Sequence, residues 1–144
     1  YFESPHLLNR GANDDWGNPE LKTKLRKRGY YSEEGKKEID TIIRKIKSFT
    51  KKYNLENQWL QHIADEPTDI NAQCYKDASK QIKSIYPEIT IMEATNAKES
   101  LSGNNDVCCP HINDFQGPRN CLNARKSKGE NVLLDTCLVT GGTW

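Results

Sequence analysis

The sequence predicts an α/β fold built on a parallel sheet, and three observations carry that prediction. Short apolar or β-branched runs alternate with amphipathic helical stretches along the chain. The resulting order is helix, strand, helix, strand, short helix, strand, helix, strand, which implies right-handed crossovers between parallel strands. The length of 144 residues, 35% hydrophobic and 28% charged, suits one domain with a real core. Four such units are about half of an eight-stranded (β/α)8 barrel, which needs roughly 250 residues. A small open parallel α/β sheet is the competing architecture. The chain opens on Tyr1-Phe2-Glu3 without an initiator Met and stops at Thr140-Gly141-Gly142-Thr143-Trp144 in a loop-like stretch. A piece of a longer protein is therefore expected, which favours the C-terminal half of a barrel.

Residues 1–31 read as an irregular loop region leading into the rest, since Pro5, Gly11, Gly17, Pro19 and Gly29 interrupt any long period. A short extended start is expected at Tyr1–Glu3, and Lys22–Arg28 reads as a solvated charged face. The clearest helix follows. Ser32 can cap it, Glu33 and Glu34 suit its positive end, and Ile39, Ile42, Ile43, Ile46 and Phe49 recur at helical spacing. Lys51 and Lys52 fall near its C-terminus, where the dipole favours cations.

Trp59–Ala64 reads as the first strand, stopped by Pro67, with Trp59 in the core. A second helix is expected from Thr68 or Asp69, with Tyr75, Ala78, Ile82 and Ile85 on its apolar face and Pro87 at its end. Ile89–Met92 is the second strand, rich in β-branched residues. A helical turn over 96–101, a turn at Gly103-Asn104-Asn105, and a third strand at Val107–Cys109 come next. Residues 117–127 look helical, Gly129 closes them, and Val132 opens a fourth strand.

Several function classes are excluded or disfavoured. Lys plus Arg number 21 against 20 Asp plus Glu, too balanced for a nucleic-acid footprint. No apolar run approaches the ~20 residues of a membrane helix. No signal peptide is visible, so the compartment is unread, with a secreted or periplasmic location open if the full-length protein carries one. Cys74, Cys108, Cys109, Cys121 and Cys137 make an odd count without a paired framework, and reduced, packed thiols are the expectation. No Gly-rich phosphate loop, GxSxG elbow or Walker motif occurs.

Ligands of parallel α/β folds gather at the C-terminal ends of the strands. Those ends carry Asp65-Glu66-Pro67, then Glu93, Thr95 and Asn96, then His111 and Asn113, then Asp135 and Thr136. Asp65-Glu66 is the sharpest feature. Adjacent negative charges repel, so one of the two should hold its proton more tightly, giving a carboxylate beside a carboxylic acid. Pro67 is expected to keep Glu66 extended. An exposed acidic pair at a helix start accounts for the same residues without chemistry.

The ordered series His62-Ile63-Ala64-Asp65-Glu66-Pro67, a helix containing Tyr75, and Tyr86-Pro87-Glu88-Ile89-Thr90-Ile91 resembles the catalytic domain of glycoside hydrolase family 123. Asn105-Asp106-Val107 leading to Pro110, Gly129 before Val132, and Thr136-Cys137-Leu138 extend the likeness. The opening Tyr1-Phe2-Glu3 with Leu7-Leu8-Asn9-Arg10 is similar to the family's preceding strand and loop. The resemblance implies that residues 1–144 are the second half of a catalytic barrel.

The implied activity is that of a retaining exo-β-N-acetylhexosaminidase, in particular a β-N-acetylgalactosaminidase, acting on glycans with a terminal β-linked N-acetylhexosamine. The substrate's own 2-acetamido oxygen would be the nucleophile, forming an oxazolinium. Asp65 would orient the acetamido group and stabilise its charge. Glu66 would act as acid and then base, with no cofactor and no metal. The sequence departs from the family where aromatic residues usually follow Val132, since Leu133, Leu134 and Asp135 stand there. A catalytically inactive carbohydrate-binding homologue is the alternative that this departure supports.

Further candidates for substrate contact are His62, Asn96, His111, Asp135 and Trp16. Trp16 could stack on a sugar or pack its own loop. Asp135 could bind sugar hydroxyls. His62 is either a buried, hydrogen-bonded histidine or a substrate contact, and period 2 would put it opposite Asp65. A metal-dependent hydrolase using His62, Asp65, Glu66 and His111 is a third reading. Cys108-Cys109-Pro110-His111, with Cys121 or Cys137, fits no standard closed zinc site.

Overall fold

The computed structural model describes residues 2–9, 17–95, 100–109, 126–129 and 131–132. Its elements in chain order are β1 (Phe2–Glu3), β2 (Leu8–Asn9), β3 (Lys22–Thr23), α1 (Glu33–Tyr53), β4 (Trp59–Gln61), α2 (Ala72–Ile85), β5 (Thr90–Ala94), β6 (Val107–Cys109) and β7 (Asn131–Val132). Five strands form one sheet in the order β1-β4-β5-β6-β7, and every pairing in it is parallel. Among the described residues, each strand thus lies beside the next of the same sheet in sequence, without the reversal of a doubly wound fold.

The crossover from β1 to β4 contains α1, and the one from β4 to β5 contains α2. The Ser32 hydroxyl accepts the Gly35 N–H at 3.0 Å to start α1, and it donates to the Gly29 carbonyl at 2.8 Å. Asn54 ends the helix in the left-handed region (φ 54°). Gly35 is required where it stands, since a Cβ there would come within 2.1 Å of the Gly29 oxygen. α1 and α2 pack against each other. Thr50 and Tyr86 share a buried hydroxyl–hydroxyl bond at 3.0 Å, and Lys47 donates to the Ile85 carbonyl at 2.8 Å.

The core lies largely where the sequence pattern placed it, except that Phe49, near the end of α1, is 46% exposed and Ile42, Ile46 and Ile85 are only partly buried. Ile39 and Ile43 of α1, Tyr75, Ala78 and Ile82 of α2, and Ile89 and Ile91 at β5 are fully or almost fully buried, with Trp59 packed at the margin. Cys74 is a buried free thiol, and Cys108 is buried and Cys109 half-buried. Cys74 Sγ accepts the Leu21 N–H at 3.3 Å, which fixes the segment before β3 on α2.

Several boundaries differ from the sequence expectation. Lys22–Arg28 is not simply a solvated face. Lys22 and Thr23 form β3, antiparallel to Leu8–Asn9, with Leu21 and Thr23 fully buried. β4 ends at Gln61 instead of Ala64, because the N–H groups of Ile63 and Ala64 turn to a buried carboxylate. α2 begins at Ala72, later than Thr68 or Asp69. The Asn71 side chain accepts the Thr68 N–H at 2.9 Å, holding 68–71 as a turn. β5 runs two residues further than Ile89–Met92, to Ala94. Most of the segments expected at 96–101 and 117–127, and the strand beyond Val132, lie outside the described residues. Among the described residues no helix is long and apolar enough to cross a membrane.

Candidate functional site at the strand ends

Parallel pairing places the C-terminal ends of β1, β4 and β5 side by side, and polar side chains converge there. The loop after β1 is laced to the segment after β4. Leu7 and Leu8 both donate their N–H to the Ile63 carbonyl, at 3.0 and 2.7 Å, and Ser4 Oγ accepts the His62 N–H at 3.1 Å. Glu93, near the end of β5, is fully buried and organises the cluster. Its Oε2 accepts the N–H groups of Ile63 and Ala64 at 2.9 and 3.1 Å, and its Oε1 meets His62 Nδ1 at 3.2 Å. Burial pushes the Glu93 carboxyl above the usual carboxylate range, while the His62 and backbone hydrogen bonds pull it back.

His6 completes the group. Its Nε2 lies 3.9 Å from Glu93 Oε1 and 3.8 Å from Asp65 Oδ1, and its ring sits 4.9 Å from that of His62. One ligating atom from each of His6, His62 and Glu93 lies within 4.8 Å of the others. Asp65 and Glu66 follow directly and are exposed to solvent, Asp65 with 54% of its side-chain surface. The next residue, Pro67, is buried, and its carbonyl accepts the Thr95 hydroxyl at 2.8 Å. The acidic pair therefore stands in the open on a stretch anchored at both ends to β5.

Glu66 is not extended, as Pro67 led us to expect. It adopts φ 43°, in the left-handed region, where a non-glycine residue is strained. The anchors on either side account for this, since Ile63 and Ala64 are held by Glu93 and Pro67 by Thr95. The alternation that would oppose His62 to Asp65 does not apply either, because the strand has already ended. His62 is buried against Glu93, whereas Asp65 points to the open side.

The structure thus places His62 in the buried cluster and Asp65 at its solvent edge, near His6, with Glu66 following Asp65 on the exposed side. Asn96, His111, Asp135 and Trp16 lie outside the described residues. His6 was not among the sequence candidates, and Glu93 was named there only as one of the polar residues at a strand end. A signal for Glu93 existed: a carboxylate inside the run Ile-Thr-Ile-Met-Glu-Ala, of a residue type almost never fully buried without a partner. His6, after a two-residue strand, carried none. A surface cleft of about 390 Å³ lies elsewhere, between Leu25–Arg28 and α1, and shares no residue with this cluster.

Residues 17–140 match the family model described as glycoside hydrolase 123, catalytic domain. No curated protein matches the chain.

Proposed function

Because the chain belongs to glycoside hydrolase family 123, we propose that it contributes the catalytic pair of a retaining exo-β-N-acetylhexosaminidase, acting on terminal β-linked N-acetylgalactosamine. The observation that carries this reading is the placement of Asp65 and Glu66. They are consecutive, solvent-facing, and held at the C-terminal strand ends by Glu93 and Thr95. The in-sequence order of the parallel strands, with both crossover helices packed together, supports the second half of a (β/α)8 barrel as the scaffold.

In this mechanism the substrate's acetamido oxygen attacks the anomeric carbon as the glycosidic bond breaks. Glu66 gives its proton to the leaving oxygen, and Asp65 stabilises the positive charge that develops on the acetamido group. Glu66, now ionised, then takes a proton from the water that opens the oxazolinium. Exposure of both carboxyls keeps them within reach of a sugar entering from solvent. A non-hydrolytic carbohydrate-binding protein is the second reading, favoured by Leu133-Leu134-Asp135 where the family carries aromatic residues.

The test is release of 4-nitrophenol from the β-GalNAc and β-GlcNAc glycosides by the full-length protein, with Glu66→Gln and Asp65→Asn as controls. Turnover that falls by orders of magnitude in both variants is expected. Turnover that survives both substitutions would remove these residues from the chemistry. A folded protein that binds amino sugars without turnover would establish the second reading.

A further inference from the structure

We propose that His6, His62 and Glu93, which adjoin the acidic pair Asp65-Glu66, form a binding site for a divalent transition metal of the zinc class. Three segments supply one donor each: the loop after β1, the residue after β4, and β5. Two imidazole nitrogens and one carboxylate oxygen are a donor set that zinc accepts.

The spacing fits. Ligand atoms bound at about 2.1 Å in a tetrahedral site lie roughly 3.4 Å from one another. Glu93 Oε1 is 3.2 Å from His62 Nδ1 and 3.9 Å from His6 Nε2, and the three donors lie within 4.8 Å of one another, so closing on an ion requires the two imidazoles to draw together. The carboxylate is already oriented for that role. Its other oxygen, Oε2, is occupied by the Ile63 and Ala64 N–H groups, which leaves Oε1 facing both rings. Outer hydrogen bonds of this kind fix the ligands of metal sites.

Charge and access also agree. Asp65 Oδ1 lies 3.8 Å from His6 Nε2 on the solvent side, which puts a second carboxylate near the three donors. The two nearby carboxyl groups, Glu93 and Asp65, would offset the positive charge of the ion, which a buried uncompensated cation would require. His6 keeps 29% of its side-chain surface exposed, which provides an entry path.

The test is direct binding, read without any activity assay. The full chain is stripped with a chelator and back-titrated with zinc in competition with a chromophoric chelator. One ion per chain is expected. His6→Ala, at a partly exposed loop position, should weaken binding roughly ten-fold or more, with circular dichroism and melting temperature unchanged. Cobalt in place of zinc should show ligand-field absorption without a thiolate charge-transfer band, which separates this site from the cysteines. The proposal is overturned by absence of stoichiometric binding. It is also overturned by binding that neither His6→Ala nor His62→Gln affects, or by a thiolate band.

Discussion

The carboxylate of Glu93 accepts the backbone N–H of Ile63 at 2.9 Å, across the gap between β5 and the residues that follow β4. With the Ala64 N–H on the same oxygen, a side chain replaces the strand ladder at the point where β4 ends. That substitution turns the backbone and presents Asp65 and Glu66 to solvent instead of continuing them along the sheet.

Removing the carboxylate therefore acts on stability first. Glu93→Ala leaves two buried N–H groups and His62 without their acceptor, a loss of about 3 kcal/mol or more, since each unsatisfied buried group costs roughly 1–3 kcal/mol. Glu93→Gln retains a carbonyl oxygen for Ile63 and Ala64 and should lose clearly less. Urea unfolding of the two variants measures the difference, and equal losses would remove Glu93 from its organising position.

Glu66 carries a conformational strain that glycine would relieve. Its φ of 43° costs an L-residue roughly 1–2 kcal/mol, partly offset in glycine by greater chain entropy when unfolded. Glu66→Gly should thus be more stable than Glu66→Gln, by about 0.5–1 kcal/mol. Thermal melts of the two variants decide this, and a less stable glycine variant would contradict it.

The start of α1 is equally testable. Ser32→Ala removes the acceptor for the Gly35 N–H and should cost about 1 kcal/mol. Gly35→Ala should cost more, because its methyl would stand 2.1 Å from the Gly29 carbonyl oxygen and neither backbone segment can yield cheaply. Chemical denaturation that ranks the two in the reverse order would contradict the tight approach.

Alkaline pH should weaken the fold through Cys74. Burial pushes its thiol up to about 11, above the value of the unfolded chain. A group with a raised folded pKa contributes its full stability below the unfolded value, and loses it as pH rises through the folded one. Stability should fall from about pH 8.5, the ordinary thiol pKa, toward pH 11. Cys74→Ala should flatten that part of the profile. Native Cys74 should also resist alkylation at pH 8 and react after unfolding, which mass spectrometry of the labelled peptide can follow.

Local sequence determined the helices, the parallel sheet and the core. Ser32, Glu33 and Glu34 mark the start of α1, and Ile39 and Ile43 recur on the face it buries. The β-branched run around Ile89–Ile91 marks β5, and Val107–Cys109 is a strand as its composition predicts. These signals are legible because propensity, capping and periodicity act within a few residues. The Asp65-Glu66 pair was legible for the same reason, as two adjacent carboxylates at a strand end.

The rest depended on contacts between distant parts of the chain. β3 forms because Leu8–Asn9 pairs with it, against a local pattern that reads as a charged surface. The end of β4, the turn of Glu66 and the burial of His62 all follow from Glu93, some thirty residues away in sequence. The meeting of His6 with His62 and Asp65 follows from the parallel pairing of β1 with β4. A carboxylate buried in a strand costs several kcal/mol unless donors from elsewhere meet it. Only the folded chain determines which donors those are, and so where the acidic pair points.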